Sequence, residues 1–163
     1  MNSALMFSKA SDEWATPQAL FDTLDAEFDF LLDAAASQAN HKCAFWLGPE
    51  AKADNWRDGL AFEWSLLLKG TAGAVWLNPP YSRCREFIAK AADEADKGCT
   101  VVCLVPSRTD TRWWHEHVWD TEKHQPKCHV EVRFIKGRLK FGGAPQGAPF
   151  PSVVIVFRPW ELF

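Results

Sequence analysis

Asn78-Pro79-Pro80-Tyr81 follows directly on the apolar run Ala74-Val75-Trp76-Leu77. The run reads as a buried strand, and two consecutive prolines end its ladder because neither can donate an amide hydrogen. Open α/β sheets bind ligands beyond the carboxyl ends of their strands. At that place the loop offers a side-chain amide oxygen, a proline carbonyl and one aromatic face. Two neighbouring acceptors, with no proline N–H competing, suit a planar amino group. Asn-Pro and Pro-Pro are also ordinary turn signals, so the tetrapeptide alone fits a surface turn as well. The strand before it and the helix pattern after it favour chemistry.

A second candidate is Asp33, the acid that closes Phe28-Asp29-Phe30-Leu31-Leu32. Ala34-Ala35-Ala36-Ser37 follows, small enough for close packing but without glycine's freedom at positive φ. Asp33 could equally cap the next turn. Arg108 lies just past Thr100-Val101-Val102-Cys103-Leu104-Val105 and could touch an anion or form a structural ion pair. Residues 123–140 carry six Lys or Arg against one acid, among them Arg133, Lys136, Arg138 and Lys140. Residues 1–60 carry ten acids against four Lys or Arg. Such asymmetry can orient an anionic partner, or it can simply solvate a hairpin.

The elements that must position these groups follow from pattern. Residues 1–12 read as a flexible segment. Thr16 suits a helix cap and Pro17 the first helical position, with Leu20, Phe21 and Leu24 at helical spacing. Strands are expected near 28–33, 43–47, 74–77, 100–105, 130–134 and 153–157, and helices over 83–97 and 109–119. Gly98 stops the first of these helices. Val130-Glu131-Val132-Arg133-Phe134 is expected to pair with Leu139-Lys140-Phe141 as a hairpin turning at Lys136-Gly137-Arg138. The order predicts an α/β sheet with a parallel centre and an antiparallel addition.

Composition bounds the rest. The chain has 163 residues, 47% hydrophobic and 24% charged, with a net charge of -3. Disorder and fibre are excluded, and one domain over 13–163 is expected, without a separate target-recognition domain. No apolar run reaches the roughly 20 residues that span a bilayer, and the start lacks a secretory pattern. The protein is therefore expected in the cytoplasm. Five irregularly spaced cysteines give no disulfide framework. Neither Cys99 and Cys103 nor His115-Glu116-His117 has convincing metal-ligand spacing, so no metal is expected.

With Asn78-Pro79-Pro80-Tyr81 stand Trp14-Ala15-Thr16-Pro17, Phe30-Leu31-Leu32-Asp33-Ala34-Ala35-Ala36, Val105-Pro106-Ser107-Arg108-Thr109-Asp110-Thr111 and Lys136-Gly137-Arg138-Leu139. Together these blocks resemble the N6-adenine DNA methyltransferases, especially the short type found in phages and prophages. Their signature has the form Asp/Asn/Ser-Pro-Pro-Tyr/Phe. The resemblance implies a Rossmann-like, class I methyltransferase fold of seven strands, mainly parallel, with a reversed final strand. It implies S-adenosylmethionine as methyl donor, DNA as partner and a phage- or prophage-encoded enzyme in a bacterial host.

The resemblance also implies roles. Asn78, Pro79, Pro80 and Tyr81 would form the catalytic loop. Trp14, Thr16, Pro17, Asp33, Ala34, Ala35, Asp54 and Asn78 would bind the donor. Arg108, Arg133, Lys136, Arg138 and Lys140 would contact DNA, with a homodimer or accessory partner extending recognition. The competing readings are methylation of cytosine N4 or another planar amino group, and a noncatalytic binding module on a degenerate fold. The glycine-rich donor loop common in such folds is absent, which keeps the last reading open. The absence of a Gly-x-Ser-x-Gly elbow and of a complete phosphate loop counts against a hydrolase or nucleotide enzyme.

Overall fold

Burial along the central strands is continuous, because the sheet is covered on both faces. The computed structural model describes residues 14–160, so the segment 1–12 lies outside the described residues. The strands are β1 Phe30–Asp33, β2 Phe45–Trp46, β3 Ala74–Leu77, β4 Val101–Pro106, β5 Trp119–Asp120, β6 Gln125–Pro126, β7 Val130–Phe134 and β8 Ser152–Phe157. Helices α1 Gln18–Phe28, α2 Ser65–Leu68 and α3 Cys84–Asp96 complete the regular elements. The main sheet has the order β2-β1-β3-β4-β8-β7. Its first four strands run parallel, β8 is antiparallel to β4, and β7 is antiparallel to β8.

Alternation decides which layer each side chain joins. Ala74 and Trp76 of β3, Val102 and Leu104 of β4, and Val154 and Val156 of β8 pack with Phe21, Leu24 and Phe28 of α1. Val75, Leu77, Val101, Cys103, Val105, Val153 and Ile155 face Phe87, Ile88 and Ala91 of α3. Each strand therefore feeds two cores, as strands buried on both faces do. Trp76 is 1% exposed, and truncating it to alanine would cost about 3–5 kcal/mol.

Several expectations are corrected. Six strands form the main sheet among the described residues, where the resemblance implied seven. Between β2 and β3 the chain instead makes a 3-10 turn at Asp54–Trp56 and the short α2. The hairpin expected over 130–141 is not formed. β7 takes β8 as its antiparallel partner, and 135–151 is the connection between them. That loop folds back on itself, with Ala148 N–H donating to the Leu139 carbonyl. The helix expected over 109–119 narrows to 112–118, most of it a π-type turn at Trp114–Val118. There the His115 ring bridges the Thr109 carbonyl and the Thr121 hydroxyl. Thr16 does not cap α1 with its side chain; Pro17 holds the cap position and the helix begins at Gln18. Among the described residues no helix is long and apolar enough to cross a membrane.

Candidate active site

β1 and β3 are parallel neighbours in register Asp33↔Trp76, so the segments leaving them start side by side. The Ala34 N–H donates to the Trp76 carbonyl at 3.0 Å, extending the ladder to the edge of both loops. β2 lies on the far side of β1, so the chain order reverses between β1 and β3. Such a switch point opens a crevice at the strand ends. Here it holds a cavity of about 430 Å³. Ala34, Ala35, Ala36, Ser37 and Asn40 line it from the segment after β1, and Asn78 and Pro80 from the loop after β3. Trp14, Leu47, Gly48, Asp58, Gly59 and Phe87 help close it.

Asn78 is held by one end of its amide. Its Nδ2 donates to the Trp14 carbonyl at 2.5 Å and to Thr16 Oγ1 at 3.1 Å. A carbonyl can only accept, so this contact fixes which end of the amide is nitrogen. The Oδ1 is buried and has no partner among the described residues. Buried acceptors are rarely left unpaired, and an exception points to a missing ligand or water. Beside it Pro79 is buried, in a loop whose two prolines limit backbone movement.

Asp33 lies beneath the loop that follows β1, outside the cavity lining. It is 3% exposed. Oδ2 accepts the Lys42 N–H at 2.9 Å and Oδ1 the Ala35 N–H at 3.4 Å. Burial pushes its carboxyl up to about 6, against the lowering effect of these amides and of His41 and Lys42. Asp33 thus ties the two ends of residues 35–42 together.

The other candidates separate. Trp14, Ala34, Ala35 and Asn78 line the cavity. Thr16 and Pro17 do not; Thr16 is buried behind Asn78. Asp54 is also absent from the lining and forms an exposed ion pair with Arg57 at 2.8 Å. Asp58, four residues on, lines the wall. Tyr81 stands beside the cavity, with its ring nearly parallel to Trp14 at a centroid distance of 6.1 Å. Phe150 meets it edge-on at 5.3 Å, and burial raises its phenol pKa.

The basic residues divide too. Arg108, Lys136, Arg138 and Lys140 are exposed. The last three sit on the β7–β8 connection, which reaches the site through Phe141 and Phe150 against Trp14 and through the Gly142 N–H on the Ala15 carbonyl. Arg133 is engaged elsewhere. Two of its nitrogens donate to Glu27, each at 2.6 Å, its Nε meets Glu131, and its guanidinium lies over Phe28. Arg133 thus ties β7 to α1.

Sequence reasoning passed over Gly48 and Gly59. A Cβ on Gly48 would lie 1.9 Å from the Ala36 carbonyl oxygen. The glycines needed for close approach thus stand opposite the alanine loop rather than within it. Gly48-Pro49 and Asp58-Gly59 were visible as turn dipeptides. Ser37, Asn40 and Phe87 carried no comparable signal.

A mixed sheet between helical layers, with its cavity at the switch point, is the layout of a Rossmann-like protein. Residues 4–162 match the family DNA N-6-adenine-methyltransferase (Dam), and the chain belongs to that family. It is 32% identical over 162 residues to the DNA N-6-adenine-methyltransferase of Escherichia phage T1, covering 90% of this chain and 63% of that protein. It is 26% identical over 157 residues to the protein of the same name from Haemophilus phage HP1, strain HP1c1, covering 93% and 83%. The chain therefore spans just under two thirds of the length of the T1 relative.

Proposed function

We propose that this chain transfers a methyl group from S-adenosylmethionine to N6 of adenine in DNA. The observation that carries the reading is the buried Oδ1 of Asn78, unpaired among the described residues, on an amide whose nitrogen is already anchored. Adenine's exocyclic nitrogen is a weak nucleophile because its lone pair is delocalised into the ring. Asn78 Oδ1 and the Pro79 carbonyl would accept its two hydrogens and favour the positive charge that develops during attack. Neither residue needs to remove a proton before transfer. Tyr81 and Trp14 would supply aromatic surface to a base swung out of the duplex.

The cavity has apolar walls at Leu47, Pro49 and Phe87, polar ones at Ser37 and Asn40, and charged ones at Asp58, Arg57 and Arg83, which would suit a nucleoside that carries both a carboxylate and a cation. The donor supplies a methyl group activated by a sulfonium. Ala34–Ser37 would pass close beneath it, while Asp33 holds that loop from below. Arg108, Lys136, Arg138 and Lys140 would meet phosphates, which position a duplex without reading its sequence. A second copy or accessory partner would extend recognition. No step is assigned to a metal.

A tritiated-donor assay on unmethylated duplex DNA of mixed sequence tests the reading, with the labelled nucleosides separated after digestion. Label should be recovered in N6-methyladenine. Label in N4-methylcytosine alone would replace adenine with cytosine as the target, and label in neither would reject the activity.

A further inference from the structure

Resting on the reading just given, we infer that Thr16 is a positioning residue that keeps the acceptor end of Asn78 free for the substrate. An asparagine amide is nearly symmetric in shape, and rotation by half a turn about its last bond exchanges a donor for an acceptor. Only the oxygen end can receive a hydrogen from an amino group. The chain must therefore select one of the two orientations. The selection is made behind the loop, by the Trp14 carbonyl at 2.5 Å and Thr16 Oγ1 at 3.1 Å.

The two contacts differ in what they discriminate. A carbonyl only accepts, so the Trp14 contact rejects the flipped amide outright. A hydroxyl can donate or accept, and Thr16 supports the nitrogen end by giving Asn78 a second acceptor. Thr16 is 4% exposed and makes no side-chain cap to α1, so its hydroxyl is available for this contact. The segment Trp14-Ala15-Thr16 is itself pinned, by Trp14 against Phe141 and Phe150 and by the Gly142 N–H on the Ala15 carbonyl.

The same geometry limits position 78 to asparagine. An aspartate there would place a carboxylate oxygen against the Trp14 carbonyl at the distance now bridged by a hydrogen. One hydroxyl donor from Thr16 would not relieve that repulsion. Asn78→Asp, although it satisfies the general signature, should lose activity in this chain.

Thr16→Val, Thr16→Ser and Asn78→Asp would be compared with the wild type in single-turnover methylation at saturating donor and DNA. Calorimetric donor affinity and side-chain amide NMR of Asn78 would be recorded alongside. Thr16→Val should lower the single-turnover rate about tenfold or more and leave donor affinity within about threefold. Thr16→Ser should restore most of the rate. The Asn78 amide protons should be protected from exchange in the wild type and lose protection in Thr16→Val. A wild-type rate and unchanged amide protection in a folded Thr16→Val protein would overturn the inference, as would a full rate in Asn78→Asp. If the wild type itself methylates no adenine, the functional reading fails, and the amide signals still decide whether Thr16 orients Asn78.

Discussion

Gly59 lies so close to Ala34 that a Cβ on it would sit 2.2 Å from the Ala34 carbonyl oxygen. Real side chains do not approach a carbonyl that closely, so the contact fixes how far the wall can stand from the loop after β1. Gly59→Ala should push the loop inward or the wall outward, costing about 1–3 kcal/mol of stability. Donor affinity should fall with it, by about tenfold if a little over 1 kcal/mol of the strain is expressed in binding. Thermal melting and calorimetry on Gly59→Ala would check both; unchanged values would mean that the wall yields freely.

Asp33 predicts a pH dependence with a defined sign. Its folded value of about 6 lies above the ordinary 3.8, because burial disfavours the carboxylate. The folded state therefore binds this proton more tightly than the unfolded chain. The stabilisation is fully present below 3.8 and is lost as pH rises through about 6. Two pKa steps correspond to about 3 kcal/mol. Urea titrations of wild type and Asp33→Asn should diverge in slope across that window, with only the wild type losing stability as pH rises. Donor affinity should move the other way. A protonated Asp33 can no longer offer two full acceptors to Ala35 and Lys42, so binding should weaken below about 6. Parallel stability curves would contradict this assignment.

The basic residues should behave as two groups. Lys136→Ala/Arg138→Ala should weaken DNA binding and make log affinity against log salt shallower by about 1.8, the value for two lost phosphate contacts. Arg133→Ala should leave that slope alone and lower stability by about 1 kcal/mol, since its pairs with Glu27 and Glu131 are partly exposed. Fluorescence anisotropy over a salt series separates the groups. An equal loss of slope in Arg133→Ala would return that residue to the DNA surface.

These cases show what was legible in sequence. The loop at 78–81 could be read because apolar residues, two prolines and a helix pattern follow one another locally. The parallel centre followed from the order of strands and helices, whereas a reversed final strand was implied only by the family resemblance. Arg133 could not be read, since its partner Glu27 is 106 residues away and the charge count treats every arginine alike. Thr16 has the right residue type for a cap, yet its hydroxyl serves a side chain 62 residues distant. Asp54 and Asp58 sit in a stretch with no hydrophobic period, where nothing local tells which acid turns toward a cavity. The alternating strand 130–134 was recognised, but its partner was not. A turn signal at Lys136-Gly137-Arg138 suggested the near segment, while the continuous apolar run of β8 offered the better surface to pair with.

Identification of the methylated nucleoside tests the central claim most directly. Wild-type protein and Asn78→Ala would be incubated with duplex DNA and a donor bearing a trideuterated methyl group, and the digested nucleosides resolved by mass spectrometry. The account predicts labelled N6-methyladenine from the wild type and a loss of about a hundredfold or more in the variant, because the lost acceptor acts where charge develops. Labelled N4-methylcytosine, or equal N6-methyladenine from both proteins, would contradict it.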